Sequence, residues 1–315
     1  MIDNHYEEYP ILVILGPTAV GKTALSLKLA EDFNGEIISA DSMQIYRDMD
    51  IGTAKVSTDI RAKIPHYMID IVCPEKNFSV ADYQKEVDKI IPEICQKNNL
   101  PILVGGTGLY IKAVIQGFLL PEMEADKELR QRLQEKAKKY GNKYVHNMLA
   151  EIDACLAHKL HPNDLRRVIR GIEIYKQTGK TKTFYKWKQK QKPPRYHALK
   201  IGLTRKRAEL YQRINLRVDE MIKKGLIEEV KYLHKKYDLS KTALQALGYK
   251  EITGYLQKEY DLKEAKRLIK KNTRNFAKRQ LTWFRRDDDI HWFNLSKMDI
   301  KEIRKQIKTL INDRF

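Results

Sequence analysis

Apolar runs and amphipathic stretches alternate along the first third of this chain. Residues 11–15 (ILVIL) are continuously apolar, which predicts a strand buried on both faces. Residues 24–30 (ALSLKLA) predict a helix. Ile37 and Ile38 predict a second buried strand, residues 68–72 (MIDIV) a third, and residues 102–104 (ILV) a fourth. Between the last two, Val87, Ile90, Ile91 and Ile94 recur at helical spacing over 81–95, where Pro92 is expected to end or kink the helix. A further helix is predicted over 109–115, and residues 46–55 (YRDMDIGTAK) read as a loop. From about Glu122 to Lys192 the strand signals stop. Leu129, Leu133 and Ala137 mark one helix and residues 144–149 another. His161-Pro162-Asn163-Asp164 predicts a helix start, with Leu165, Val168, Ile169 and Ile172 on one face and Gly179 at the end. Strand returns at 199–203, followed by an amphipathic helix carrying Leu210, Ile214, Val218, Met221 and Ile222. Residues 245–251 read as loop turning into helix, 265–286 as a helix, 290–295 as a last strand and 303–311 as a terminal helix.

One stretch gives this alternation its chemistry. Gly16-Pro17-Thr18-Ala19-Val20-Gly21-Lys22-Thr23 fits G-x-x-x-x-G-K-[ST], after a strand and before a helix, the context that the motif needs. Such a loop closes backbone N–H groups around phosphate oxygens. The helix N-terminus and Lys22 add positive charge, and Thr23 is placed to hold Mg²⁺. Asp41 falls at the carboxyl end of the second strand, where open α/β sheets bind ligands, and by position reads equally as a turn or N-cap aspartate. Gly105-Gly106-Thr107-Gly108 follows another strand and reads either as a turn suited to close backbone approach by a ligand or as an ordinary turn between strand and helix. The resulting expectation is an α/β fold: a P-loop NTPase-like parallel-sheet core over 1–121 and 197–315, interrupted by an all-helical insertion over 122–196. The strand at 102–104 ends in glycine, without the acidic residue that helps a P-loop ATPase hold Mg²⁺, which counts against a motor ATPase.

Charge narrows the partners. The chain of 315 residues carries a formal net charge of +19, which points to a polyanion, nucleic acid first and a membrane surface second. Residues 181–192 (TKTFYKWKQKQK) combine five lysines with Phe184, Tyr185 and Trp187, read either as a nucleic-acid contact or as a solvated basic loop. Residues 265–286 contain nine Lys/Arg and no Asp/Glu, with Arg267, Lys271, Arg274 and Lys278 along one helix face. Cys73, Cys95 and Cys155 are far apart in sequence, without C-x-x-C spacing, which argues for a reducing compartment and against a zinc site. Residues 1–10 are too polar for a signal peptide, and no apolar run approaches the ~20 residues of a membrane span, so a cytoplasmic protein is expected. Three functions remain open on these grounds: a kinase or transferase acting on RNA, a nucleic-acid-dependent ATPase, and a small-molecule kinase.

Seven segments together add a resemblance. GPTAVGKT (16–23), ISADSMQIYRDMDIGTAK (38–55), PHYMIDI (65–71), ILVGGTGLYIKA (102–113), HPNDLRRVIRGIEIY (161–175), ALGYKEI (246–252) and TRNFAKRQLTWFR (273–285) stand in the order found in the tRNA dimethylallyltransferase (isopentenyltransferase) family. The chain resembles the bacterial form, because the C-terminal zinc finger of eukaryotic members has no counterpart. The resemblance implies transfer of a dimethylallyl group from dimethylallyl diphosphate to N6 of adenosine 37 in the tRNA anticodon stem-loop, with release of diphosphate. It implies that the diphosphate occupies the P-loop, with Mg²⁺ on Thr23. Asp41, Thr107, Arg217 and Lys22 are the implied catalytic residues. The implied tRNA contacts are Asp41, Ser42, Met43, Gln44 and Thr107; Arg130; Arg166, Arg167, Val168, Ile169 and Arg170; and Gln245, Ala246, Leu247, Gly248, Tyr249 and Lys250. Lys271, Arg274, Lys278 and Arg279 on the basic helix are expected to grip the tRNA backbone as well. A monomer is expected. The alternative is a P-loop kinase or ATPase acting on nucleic acid, since the loop fits ATP equally well.

Overall fold

The computed structural model describes residues 9–119, 121 and 123–315. Residues 1–8, which carry most of the expectation about a leader, and Glu122, the expected start of the insertion, lie outside the described residues. In chain order the first elements are β1 (Pro10–Leu15), α1 (Lys22–Asp32), β2 (Gly35–Ala40), α2 (Thr58–Lys63), β3 (His66–Tyr67), α3 (Val80–Gln96), β4 (Leu100–Gly105) and α4 (Gly108–Gln116). Five helices follow without a strand: α5 (Lys127–Tyr140), α6 (Asn142–Ile152), α7 (Ala154–Lys159), α8 (Leu165–Thr178) and α9 (Lys182–Lys190). The chain then forms β5 (His197–Thr204), α10 (Arg207–Lys223), α11 (Leu226–Lys236), α12 (Lys241–Leu244), α13 (Tyr249–Leu256), α14 (Leu262–Phe284), β6 (Ile290–Asn294) and α15 (Ile300–Arg314). Among the described residues no helix is long and apolar enough to cross a membrane.

Two compact units result. One joins the segment ending at Ile115 to Arg195–Phe315, and the other is Gln116–Pro194. The borders read from composition, 122 and 196, fall slightly later, because residues 116–121 (QGFLLP) still read as apolar core sequence.

The first unit is built on one parallel sheet with strand order β3-β2-β4-β1-β5-β6. Strand β1 sits between β4 and β5, with Leu12 opposite both Ile102 and Leu199. Its continuous apolar run is explained by burial on both sides. Ile11, Val13 and Leu15 pack with α3 and α4 through Tyr83, Val87, Ile91, Tyr110 and Val114. Leu12 and Ile14 pack on the other side with Leu25 and Leu29 of α1, Leu210 and Ile214 of α10, and Ile303 and Ile307 of α15. Each such side chain contributes about 1.5–3 kcal/mol by leaving water. A third cluster lies under the 45–49 loop, where Ile45, Tyr46 and Met49 meet Val218, Leu226, Val230, Tyr249, Ile252 and Ile269. The segment read as a loop in sequence is therefore anchored by its own apolar positions.

The second unit has its own core. Leu133, Ala137, Val145, Leu149, Leu156, Val168, Ile169 and Ile172 are buried together. Helix α8 ends at Gly179 in the left-handed conformation (φ 66°), as its sequence predicts.

Three local expectations need correction. The third strand is His66–Tyr67, not 68–72, because Met68 and Asp70 adopt positive φ and turn the chain away. Val72 only bridges Tyr46. Pro92 does not end helix α3, which runs on to Gln96, since Tyr83, Val87, Ile91 and Ile94 are all buried along it. A proline within a helix costs ~3 kcal/mol, an amount that burial of this face offsets. Residues 182–190 form a helix, capped by Thr181 Oγ1 accepting from Phe184 N, where the bland reading had a loop.

Candidate active site at the carboxyl edge of the sheet

Strands β2, β4 and β1 are neighbours and parallel, so the segments leaving their carboxyl ends lie side by side. These segments hold Asp41, the Gly106-Thr107 turn and the P-loop. The order of the strands in space, rather than in sequence, brings the three together.

The P-loop has the backbone its motif demands. Gly16 lies at φ 146°, and a Cβ there would sit 2.6 Å from the Leu203 carbonyl oxygen of β5. Gly21, at φ 120°, caps α1, and Ala19 is left-handed at φ 63°. Lys22 folds back over the loop, its Nζ donating to the Gly16 and Pro17 carbonyls at 3.0 and 2.9 Å. Arg213 Nε donates to Ala19 O and Arg205 Nε to Val20 O, both at 2.9 Å, so two arginines brace the loop from outside. Thr23 is exposed in the first turn of α1.

Electrostatics mark the space in front of the loop. Desolvation, then the nearby Arg217, pull the Lys22 ammonium down to about 8, against the opposing pull of Asp41. Arg217 is itself held below its ordinary value by desolvation, against the attraction of Asp41 and Glu220. Among the described residues Arg217 makes no hydrogen bond or ion pair. Two desolvated cations within electrostatic reach of Asp41, with Glu220 acting on Arg217 as well, are an arrangement that an anion would stabilise.

Asp41 is turned by its own backbone: Oδ1 accepts from Met43 N at 2.9 Å. Thr107 N donates to Ala40 O at 3.1 Å, and Thr107 Oγ1 accepts from Ser42 N at 3.2 Å. Asp41 and Thr107 are thus held in one backbone frame. Gln44 is pinned by Ser39 Oγ at 2.8 Å and donates to Thr53 O at 3.2 Å. The following loop is clamped by Glu229, whose carboxylate accepts from the N–H groups of Asp50, Ile51 and Gly52 and from Tyr249 Oη.

The remaining expected contacts divide by exposure. Ser42, Met43 and Leu247 are half-buried, while Gln245 and Lys250 are exposed beside the buried Ala246, Gly248 and Tyr249. In the helical unit Arg166 and Arg167 are exposed, while the side chains of Val168 and Ile169 face the core and cannot touch a ligand. Arg130 and Arg170 both bind Glu173, Arg130 through Nε and Nη2 at 2.8 Å each and Arg170 through Nη1 at 2.6 Å. On α14 the apparent lack of counter-charge is partly made good from elsewhere. Arg267 pairs with Glu264, Lys270 with Asp219 of α10, and Arg274 donates to Asn215 Oδ1. Lys271, Lys278 and Arg279 are exposed and have no ion pair among the described residues.

One residue that the motif reading passed over is central. Gln280 of α14 is buried between the P-loop and the Gly106 turn, accepting from Thr18 N at 2.9 Å and donating to Gly106 O at 3.0 Å. Its signal in the sequence was its place inside TRNFAKRQLTWFR, where it was overshadowed by the charged residues around it.

Comparison with known proteins agrees with this geometry. Residues 44–287 match the family model described as IPP transferase. A tRNA dimethylallyltransferase of Halothermothrix orenii is 68% identical over 304 residues, 96% of this chain and 93% of that protein. One of Carboxydothermus hydrogenoformans is 52% identical over 95% of this chain and 96% of the relative. The crystal structure of the full-length tRNA isopentenylpyrophosphate transferase from Bacillus halodurans superposes with a TM-score of 0.73 at 43% identity, covering 98% of this chain and 97% of that one. A eukaryotic dimethylallyltransferase, captured in crystallographic snapshots acting on tRNA, gives 0.79 at 28% identity, with 98% and 81% covered. The chain belongs to the IPP transferase family, that of the tRNA dimethylallyltransferases.

Proposed function

We infer that the protein transfers a dimethylallyl group from dimethylallyl diphosphate to N6 of adenosine 37 in the tRNA anticodon stem-loop. The observation that carries this is the placement of the P-loop with Lys22, the Thr107 turn and Asp41 side by side at the carboxyl ends of the neighbouring parallel strands β1, β4 and β2, with Thr107 hydrogen-bonded on both sides of Asp41. The charge of Asp41 acts on both Lys22 and Arg217. The donor diphosphate lies in the loop, against Lys22, Arg217 and the N-terminus of α1. N6 attacks C1 of the donor, the C1–O bond breaks, and diphosphate leaves with the bonding electron pair. The N6 proton passes to Asp41, which compensates for a nucleophile whose lone pair is delocalised into the ring. Thr107 positions the adenine beside Asp41. Lys22, Arg217 and the loop amides stabilise the charge that grows on the departing oxygen.

Mg²⁺ fits this site as a companion of the donor. Among the described residues no group of three or more His, Cys, Asp or Glu could hold a metal, while the exposed Thr23 hydroxyl stands beside Lys22. That suits an ion carried mainly by phosphate oxygens, with one protein oxygen added. Bound there, it would neutralise charge on the leaving group. We assign tRNA contacts to Arg166, Arg167, Gln245, Lys250, Lys271, Lys278 and Arg279, which are exposed. The enzyme works as a cytoplasmic monomer in this reading. A kinase or ATPase has less to support it, since β4, adjacent to β1, runs into Gly105 and Gly106 without a carboxylate.

The test is nucleoside mass spectrometry of unmodified tRNA incubated with the protein, Mg²⁺ and dimethylallyl diphosphate, with ATP in a parallel reaction. A dimethylallyl mass gain on one adenosine in the first reaction alone is expected. No gain there, with ATP consumed in the other, would overturn the reading.

A further inference from the structure

We propose that Gln280 is a positioning residue that sets the separation between the diphosphate loop and the Asp41–Thr107 frame. The proposal rests on the function inferred above and concerns the geometry of that same site. The carboxamide spans two segments that leave different strands. Its Oε1 accepts from Thr18 N at 2.9 Å, within the P-loop after β1. Its Nε2 donates to Gly106 O at 3.0 Å, in the turn after β4. The partners dictate this orientation, because Thr18 N–H can only donate and Gly106 C=O can only accept.

The path continues to the acid. Gly106 is followed by Thr107, which binds Ala40 O through its N–H and Ser42 N through Oγ1, and Asp41 lies between those two residues. A single chain of contacts therefore runs from the donor loop through Gln280 to Asp41. The sequence accommodates it: a Cβ at Gly106 would stand 2.1 Å from Gln280 Nε2, so this glycine leaves room for the amide. Few side chains can do the same task. Glutamate can accept from Thr18 N but cannot donate to Gly106 O. Asparagine is one methylene short, and leucine does neither.

Gln280 also occupies a loop N–H group that the motif would otherwise offer to phosphate. That amide serves to fix the loop, and the donor is bound by the others. The residue sits on α14 next to Lys278 and Arg279, which are exposed. A polyanion gripping those side chains would load the same helix that holds the donor loop.

The test compares the wild type with Gln280→Glu and Gln280→Leu, by single-turnover prenyl transfer and separate equilibrium binding of dimethylallyl diphosphate and tRNA. Misplacement of a reacting group by about 1 Å costs on the order of 100-fold in rate. The expected result is a kcat lowered on the order of 10-fold to 100-fold in Gln280→Leu, a smaller loss in Gln280→Glu, and Kd values for donor and tRNA within about threefold of wild type. Hydrogen exchange at the Thr18 amide should speed up in Gln280→Leu and stay slow in Gln280→Glu. A Gln280→Leu protein with wild-type kcat, or donor affinity falling in step with kcat, would overturn the proposal. Should Gln280→Leu not fold, a Gln280→Glu protein with full kcat would overturn it equally. Failure of the wild type itself to prenylate tRNA would sink the functional reading, while the Thr18 exchange result would still decide whether the amide bridge exists.

Discussion

Arginine and lysine occur throughout both units, yet they are used in opposite ways. In the helical unit Arg130 and Arg170 converge on Glu173, whose side chain is fully buried. Burial alone pushes that carboxyl up, but the two guanidinium groups outweigh it and hold it below the ordinary glutamate value. At the carboxyl edge of the sheet, Lys22 and Arg217 are desolvated without such a partner: Arg217 lowers the affinity of Lys22 for its proton, Asp41 opposes the shift of both, and Glu220 opposes that of Arg217. The first arrangement is closed and stabilises the fold. In the second, among the described residues, no carboxylate is bound to either cation, and Lys22 donates only to backbone carbonyls. What a cation does is set by what faces it, and the count of basic residues along the chain does not reveal that.

The contrast can be broken at four places. The largest effect is expected for Asp41→Ala, which removes the carboxylate whose charge acts on both cations. Turnover should fall on the order of 10² to 10⁴-fold with tRNA affinity retained. Equal losses of rate and tRNA affinity would make Asp41 a binding residue instead. Lys22→Ala comes next, with kcat/KM for the diphosphate donor reduced on the order of 10² to 10³-fold. Wild-type donor binding should also weaken as pH rises through about 8, where the ammonium loses its proton. A Kd unchanged across that range would show that Lys22 does not meet the donor.

Glu173→Ala tests the closed arrangement. It should lower unfolding free energy by about 1–3 kcal/mol and leave donor affinity unchanged. Because the folded-state pKa of Glu173 is depressed, its stabilisation is present above the ordinary glutamate value and is lost as pH falls through the folded one. Acid titration of stability in wild type and variant should therefore converge at low pH, and parallel curves would refute the assignment. The smallest effect is expected for Lys271→Ala and Lys278→Ala. Each should lower the slope of log K for tRNA against log salt by about 0.7–0.9. An unchanged slope would leave α14 as a solvated helix face.

Much of this was legible in the chain. The apolar runs at β1 and β4 predicted strands buried on both faces, since a parallel sheet between helix layers leaves no polar side to alternate with. The motif at 16–23 required its own backbone, and Gly16 and Gly21 adopt it. Helical spacing marked every long helix of the insertion, because a helix buries one stripe of side chains whatever it packs against. Local signals failed where long-range packing won. Pro92 was overridden by the buried face of α3, and the strand expected at 68–72 gave way to the positive φ of Met68 and Asp70.

The sequence alone therefore determined most of the elements, the phosphate loop and the family resemblance, because these rest on periodicity and on residues close together in the chain. Only the tertiary structure decided that β4 inserts between β2 and β1 and so brings Asp41, Thr107 and Lys22 to one edge. It alone separated the arginines bound to Glu173 from Arg217, which has no ion pair among the described residues, and turned Val168 and Ile169 inward. It alone placed Gln280, 262 residues from Thr18, against that residue's amide. Pairings of this kind depend on distances between segments that no local pattern records.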